Sequence, residues 1–421
     1  MTPHPTLVAL LLAALALPTR ATADGPPKEK PLPQIVLYFG GPGDDPFSAF
    51  GHVAICIVPP DHPDHGLCFD YGAAYITSFS GLMWGFLRGR AEFQVVQTPE
   101  HALLTRFHHE DRTLHRLVLP LTPDQVRLAA AKLHADTLDP NWRYRYDHQY
   151  DNCATRIRDL LDLAVDGAWA TAARHQPGPG ASFRDLSRTV ASGQLLLMLT
   201  ADLLAGRAVD TIPDRWDAMF LPEVLQRETE RFFGVTSTVV LQRHGPELSP
   251  ELGWGGRYWF VILGLLFGLP LAAARRSGRC PRTALACAAL PLTLLGLLVW
   301  TLAIVSTLPA VRWNEAALAL LPLDLLLLLL PRHGPQLYAR LRLGSLAAVI
   351  FLLALGVLRQ PLWEIICLPL PTMLAVAFLP VASRVSTSVT ALVPDSRVSG
   401  ADDFCGPCPT PTRQGGDSPD R

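Results

Sequence analysis

A cysteine predicted to open a helix is the residue of this chain best suited to covalent chemistry. Asp151 and Asn152 are cap-forming types, and Ile157, Leu160, Leu161 and Ala164 recur at helical spacing, which predicts a helix from Cys153 to about Val165. A thiol in that first turn lies at the positive end of the dipole, beside unpaired N–H groups that favour the nucleophilic thiolate. Such a nucleophile calls for a base and an orienting acid, and His52 and Asp70 are of the right types. Alternation says that these two meet. Val53, Ile55 and Ile57 are apolar, with His52, Ala54 and Cys56 opposite; Leu67, Phe69 and Tyr71 are apolar or aromatic, with Cys68 and Asp70 opposite. An antiparallel hairpin that keeps both apolar sets on one face pairs even residues with even, so His52 and Asp70 share a face.

With 13 His and 8 Cys the chain offers many such triples, so the redox compartment sharpens the choice. The apolar run Leu7 to Leu17 has the length of a signal-peptide core and ends in the small-x-small site Ala21-Thr22-Ala23, giving a cleaved signal over 1–23. The stretch before it lacks Lys and Arg, and Arg20 follows it, so an uncleaved anchor is the alternative. Of the cysteines, Cys56, Cys68 and Cys153 fall in the exported part, while Cys280, Cys287, Cys367, Cys405 and Cys408 fall in membrane or cytoplasmic segments. An odd number leaves at least one exported thiol unpaired. Cys56 and Cys68 share the even face of one hairpin, and a bridge between them leaves Cys153 free.

The mean hydropathy of +0.23 is too apolar for a wholly soluble chain. A net charge of −1 offers no basic face for nucleic acid. Residues 24–34 read as a Pro-rich linker and 35–250 as one exported domain. Apolar runs over roughly 258–274, 284–308, 316–330, 344–358 and 361–382 predict a transmembrane bundle of about five helices over 257–382. Arg275, Arg276, Arg279 and Arg282 mark the loop after the first run, and Arg332, Arg340 and Arg342 the loop after the third. The positive-inside rule makes these loops cytoplasmic, with residues 24–257 outside and a disordered cytoplasmic tail over 383–421.

Within the exported domain, 35–39, 51–58, 67–71, 92–97 and 115–119 read as strands, with a helix from Thr122-Pro123-Asp124-Gln125 to about Thr137. Residues 186–233 read as helices broken around Ile212-Pro213, with Met219-Phe220-Leu221-Pro222 opening the last.

The order Phe50-Gly51-His52, Asp70-Tyr71-Gly72, Tyr146, Asp151-Asn152-Cys153-Ala154-Thr155-Arg156-Ile157-Arg158-Asp159 and Met219-Phe220-Leu221-Pro222 resembles the Lnb N-terminal periplasmic domain family, over roughly 35–235. It extends less specifically into the membrane half through Trp313-Asn314 and Pro322. The resemblance implies an α+β fold: a circularly permuted papain-like (NlpC-type) domain with an antiparallel sheet and helices, followed by the all-α bundle. It implies Cys153 as acyl-accepting nucleophile and His52 as base, with Asp70 as orienter. Asn152, Tyr71, Arg156 and His148 are supporting candidates, His148 as a second base five residues before Cys153.

The function expected is that of a bacterial inner-membrane acyltransferase of lipoprotein biosynthesis. It would N-acylate lipid-modified proteins on the periplasmic side from a phospholipid or other lipid donor, without cofactor or metal. The rivals are a periplasmic Cys amidase or peptidase acting on cell-wall peptides, served by the same dyad, and a non-enzymatic membrane envelope or assembly protein in which Cys153 is dispensable. Arg156 and Arg158 read as helix support, Arg158 one turn before Asp162, with a lipid-phosphate contact as the alternative for Arg156. Asp61-His62-Pro63-Asp64-His65 reads as a solvated turn before a ligand cluster, and Cys405-Gly406-Pro407-Cys408 as a tail before a redox motif. Asp324, inside the third run, is costly in lipid and therefore a functional candidate.

Overall fold

Alternation along the exported segment produces a seven-stranded antiparallel sheet, order β6-β4-β3-β2-β1-β5-β7, in a computed structural model. The structure describes residues 32–382 apart from 63–64, 76–77, 192, 247–255 and 332. The expected export signal and the tail with Cys405 and Cys408 lie outside the described residues.

The strands are β1 (Gln34–Gly40), β2 (His52–Val58), β3 (Leu67–Ala74), β4 (Glu92–Pro99), β5 (Leu114–Val118), β6 (Arg143–Arg145) and β7 (Thr238–Leu241). Cys56 pairs with Cys68, Ile55 with Phe69 and Ile57 with Leu67, so even opposes even. Cys56 and Cys68 are joined in a disulfide, and Cys153 is a free thiol.

Among the described residues, eight α-helices accompany the sheet: α1 (Phe79–Arg88), α2 (Glu100–His109), α3 (Pro123–Asp136), α4 (Cys153–Ala164), α5 (Ala168–Arg174), α6 (Phe183–Val190), α7 (Leu195–Leu204) and α8 (Pro222–Phe233). The odd-numbered side chains of β2 and β3, Val53, Ile55, Phe69 and Tyr71, share the main core with Ile157, Leu160 and Leu161 of α4. The even face is covered as well: Ala54, Cys56 and Cys68 pack with Leu103 and Phe107 of α2. Neither α1 nor α2 is anticipated from the sequence. Thr122 closes a capping box with Gln125 at the start of α3, with Pro123 in the first turn.

Among the described residues, the C-terminal part holds three helices long and apolar enough to cross a membrane: α9 (Tyr258–Ser277), α10 (Pro281–Val305) and α11 (Gly334–Ala354). The fifth apolar run gives a shorter apolar stretch, Trp363–Phe378, that ends in α12 (Leu370–Phe378). The third run does not make one helix. It is broken into the turns Ala316–Ala319, Pro322–Leu325 and Leu326–Leu329. Pro322 lacks the N–H a helix needs and holds Leu321 in extended backbone at φ −105° and ψ 130°.

Arg340 and Arg342 are helical residues of α11, not loop residues, which corrects their placement in a cytoplasmic loop. Arg342 is buried, donating from Nε to Asp324 Oδ1 at 2.8 Å and from Nη2 to the Ala319 carbonyl at 2.7 Å. The Tyr338 hydroxyl adds a hydrogen bond to Asp324 at 2.8 Å. Asp324 thus has its partners inside the bundle, where a lone carboxylate would be strongly disfavoured.

Two apolar layers fill the bundle. One joins Leu203 of α7 to Phe260, Val299, Ala316 and Leu346; the other gathers Leu271, Ala288, Leu327, Ala339 and Val376. The segment after α10 is tied to the exported domain by Thr307 N to the Arg88 carbonyl (3.1 Å), Gly206 N to the Ala310 carbonyl (2.7 Å) and Arg207 N to the Trp313 carbonyl (2.9 Å).

Candidate active site

Asn152 sets the position of the thiol. Its side-chain oxygen accepts from the N–H groups of Ala154 (2.8 Å) and Thr155 (2.9 Å), and the Thr155 hydroxyl accepts from Asn152 N (2.8 Å). The reciprocal box fixes the first turn of α4 and puts Cys153 at its first residue. The Asn152 amide donates to the carbonyls of His148 (2.7 Å) and Phe220 (2.9 Å), so the cap also joins α4 to two loops. The Cys153 N–H has no acceptor among the described residues. Only this one of the first three helical N–H groups stays open, fewer than the dipole argument from sequence suggests.

His52 starts β2, after a glycine that turns the chain. Gly51 adopts φ +80°, a left-handed conformation that a side chain would strain. His52 Nε2 meets Asp70 Oδ1 at 2.9 Å, leaving Nδ1 for the thiol, with which the ring interacts. Asp70 is buried and fully engaged: Oδ1 also accepts from Gly72 N (2.8 Å), and Oδ2 from Arg106 Nη2 (2.9 Å). Gly72 faces the ring so closely that a Cβ there would lie 2.3 Å from His52 Cε1. Neither Arg106 nor Gly72 is singled out as a site residue from the sequence. Arg106 sits on an unanticipated helix, and Gly72 carries no chemistry of its own.

The electrostatics follow from this packing. Burial disfavours charge on His52, but the Asp70 carboxylate and then the Cys153 sulfur outweigh it and raise the imidazole to about 10. Asp70 is pushed the other way: burial opposes its charge, yet His52 and then Arg106 hold its carboxyl well below the usual range. The arrangement sets a free thiol beside an imidazole that is held in turn by a buried carboxylate.

The supporting candidates divide. His148 is lowered to about 4 by burial, so it stays neutral; its Nδ1 lies 3.1 Å from the Tyr146 hydroxyl, and its ring packs 4.4 Å from Phe50. It lies beside Asn152, whose amide donates to the His148 carbonyl. Tyr71 turns into the core and donates to Asp136 at 2.8 Å. Arg156 is held by both oxygens of Asp151, at 2.6 and 3.0 Å, with its guanidinium 3.9 Å from the Tyr144 ring. Arg158 pairs with Asp159 and with the Trp216 carbonyl (2.9 Å), whereas Asp162 accepts from Ala170 N (2.8 Å), which corrects the expected one-turn pairing of Arg158 with Asp162. Among the described residues, no group of three His, Cys, Asp or Glu is arranged to hold a metal ion.

The family model described as the Lnb N-terminal periplasmic domain matches residues 32–189. That segment belongs to this family. The match takes in His52, Asp70 and Cys153, and stops short of Met219-Phe220-Leu221-Pro222 and of the membrane half. No curated protein and no solved structure matches the chain. Residues 32–189 are thus similar to a periplasmic domain, and membrane-capable helices follow them in the chain.

Proposed function

We propose that this protein is a cysteine-dependent acyltransferase of the cytoplasmic membrane, multi-pass, acting on its periplasmic side to N-acylate the N-terminal Cys of lipid-modified proteins. The observation that carries the reading is the free Cys153 at a capped helix start beside His52, itself held by the buried Asp70.

In the first half-reaction the Cys153 thiolate attacks an acyl ester of a lipid donor. The Cys153 N–H supplies one donor to the oxyanion of the tetrahedral intermediate. Collapse breaks the ester C–O bond, and the His52 imidazolium gives its proton to the departing alkoxide, leaving a thioester and a neutral imidazole. In the second half-reaction the α-amine of the acceptor attacks the thioester carbonyl. His52 takes the amine proton, the C–S bond breaks, and the thiolate returns beside an imidazolium as the amide is released. Membrane helices hold the site near a donor that seldom leaves the bilayer, shortening the search.

The test is full-length protein in vesicles containing phospholipid with radiolabelled acyl chains and a diacylated lipoprotein acceptor. The wild type should carry label that neutral hydroxylamine releases and should pass it to the acceptor amine. Cys153→Ala should carry none and transfer none while still inserting in the membrane. His52→Ala should slow transfer by about 10²–10⁴-fold, the usual contribution of a positioned general acid–base. Full transfer by Cys153→Ala sinks covalent catalysis.

A further inference from the structure

Two helices that wall the site also touch the outer ends of the membrane helices. At α1, the Arg88 carbonyl accepts from Thr307 N at 3.1 Å and from the Thr307 hydroxyl at 2.9 Å, two residues beyond the end of α10 at Val305. At α7, Leu203 is buried in the bundle with Phe260 and Val299, and Leu195 packs against Gly256, just ahead of α9. Both helices therefore lie level with the ends of α9 and α10 that meet the exported domain.

Their outward faces are apolar. Trp84 on α1 is 50% exposed, and Leu195 and Leu196 on α7 are 41% and 79% exposed. The Arg88 guanidinium lies 5.7 Å from the Trp84 ring, and its buried Nε has no hydrogen-bond partner. A tryptophan with a neighbouring arginine suits the boundary between headgroups and acyl chains, where an amphipathic ring and a phosphate-seeking cation are both satisfied.

Their inward faces reach the site. Phe86 of α1 packs 5.6 Å from Tyr146, which lies close to Cys153. Met198 of α7 packs with Ala49 and Phe50, two residues before His52.

We propose that α1 and α7 are seated in the headgroup layer of the outer phospholipid leaflet, with Trp84, Leu195 and Leu196 against lipid and Arg88 offered to a lipid phosphate. The thiol then stands behind two lipid-contacting walls, and an acyl chain reaches it without crossing open water. The inference rests on the bundle spanning a bilayer and not on acyl transfer.

Full-length protein in phospholipid vesicles, with a benzophenone amino acid placed in turn at positions 84, 196, 298 and 163, tests it. Leu298 on α10 marks the bilayer, and Leu163 on the last turn of α4, 45% exposed, marks water. Irradiation should give phospholipid adducts at 84, 196 and 298 and none at 163. In the unlabelled protein, brominated phospholipids should quench a tryptophan component that Trp84→Phe removes, so the result does not hang on the inserted probe. Adducts at 298 alone, or equal adducts at 163, overturn the proposal; their absence at 298 as well overturns the membrane-spanning reading with it. Adducts as expected in a protein that transfers no acyl group leave this proposal standing and remove the other.

Discussion

Gly72 lacks a side chain where the imidazole of His52 needs the room. A Cβ at 2.3 Å from Cε1 is far inside contact distance, so Gly72→Ala must push the ring off the line between Asp70 and Cys153. A displacement of about 1 Å in a reacting group can cost about 10²-fold in rate. Acyl transfer by Gly72→Ala should fall by that order, with the melting temperature little changed. An unaltered rate would show that the ring position is not rate-determining. The same residues predict a pH dependence of stability. His52 is raised to about 10 from a free value of about 6.5, so its protonated form is favoured by folding. That contribution is complete below about 6.5 and is lost as pH rises through about 10. Asp70 is depressed, so its contribution is present above its unfolded value and is lost as pH falls into the acid range. The melting-temperature gap between wild type and His52→Gln should be widest near pH 6 and close above pH 10. A gap constant across that range would mean that the pair is not ionised. Cys153, His52 and Asp70 are legible in the sequence because capping and alternation are local rules. Arg106 is not, because what it grips is set by how α2 crosses the sheet.

The start of α4 is the element on which the site depends. Asn152 caps two N–H groups and donates to two carbonyls, so Asn152→Ala removes a cap, at about 1 kcal/mol, and also strands buried acceptors, at about 1–3 kcal/mol more. Asn152→Asp keeps the cap and loses only the donated bonds. In detergent-solubilised protein, thermal unfolding should rank wild type above Asp above Ala; equal melting of Ala and wild type would show that the loops, not the cap, hold the turn. The helices differ in how plainly the chain declares them. α3 and α4 carry a hydroxyl or amide cap and a regular apolar face, and both ends can be read. α1 contains Gly81 and Gly85 and little polar character, so packing rather than propensity makes it helical. α2 shows only Leu103 and Phe107 one turn apart as a buried apolar pair. The third apolar run is the opposite case: its composition looks helical, but Pro322 breaks it and the broken backbone brings Asp324 to Arg342.

At the scale of the molecule, the ends of the membrane segments sort by what they touch. Thr307, Ala310 and Trp313, beyond α10, are hydrogen-bonded to Arg88, Gly206 and Arg207 of the exported part, and Gln360, beyond α11, accepts from Glu315 N at 2.9 Å. At the other end of the bundle, Ala382 N donates to the Arg275 carbonyl at 2.9 Å, and Arg275 Nε to the Leu379 carbonyl at 2.7 Å. Arg275 and Arg276 stand at that far end in the last turn of α9, with Arg279 and Arg282 following, as the positive-inside rule asks of a cytoplasmic face. With Arg340 and Arg342 drawn into α11 and Arg332 outside the described residues, the charge argument rests on this first loop, and contact with the periplasmic domain adds to it. Reporter fusions after Gly278 and Gly334 should therefore read cytoplasmic, and fusions after Ser306 and Gly356 extracytoplasmic. The fusion after Gly334 is the decisive one, because the broken third run must reach the far face for α11 to begin there. An extracytoplasmic reading at Gly334 would turn residues 316–330 into a segment that never crosses, and would place Asp324 and Arg342 at the outer surface, not within the bilayer.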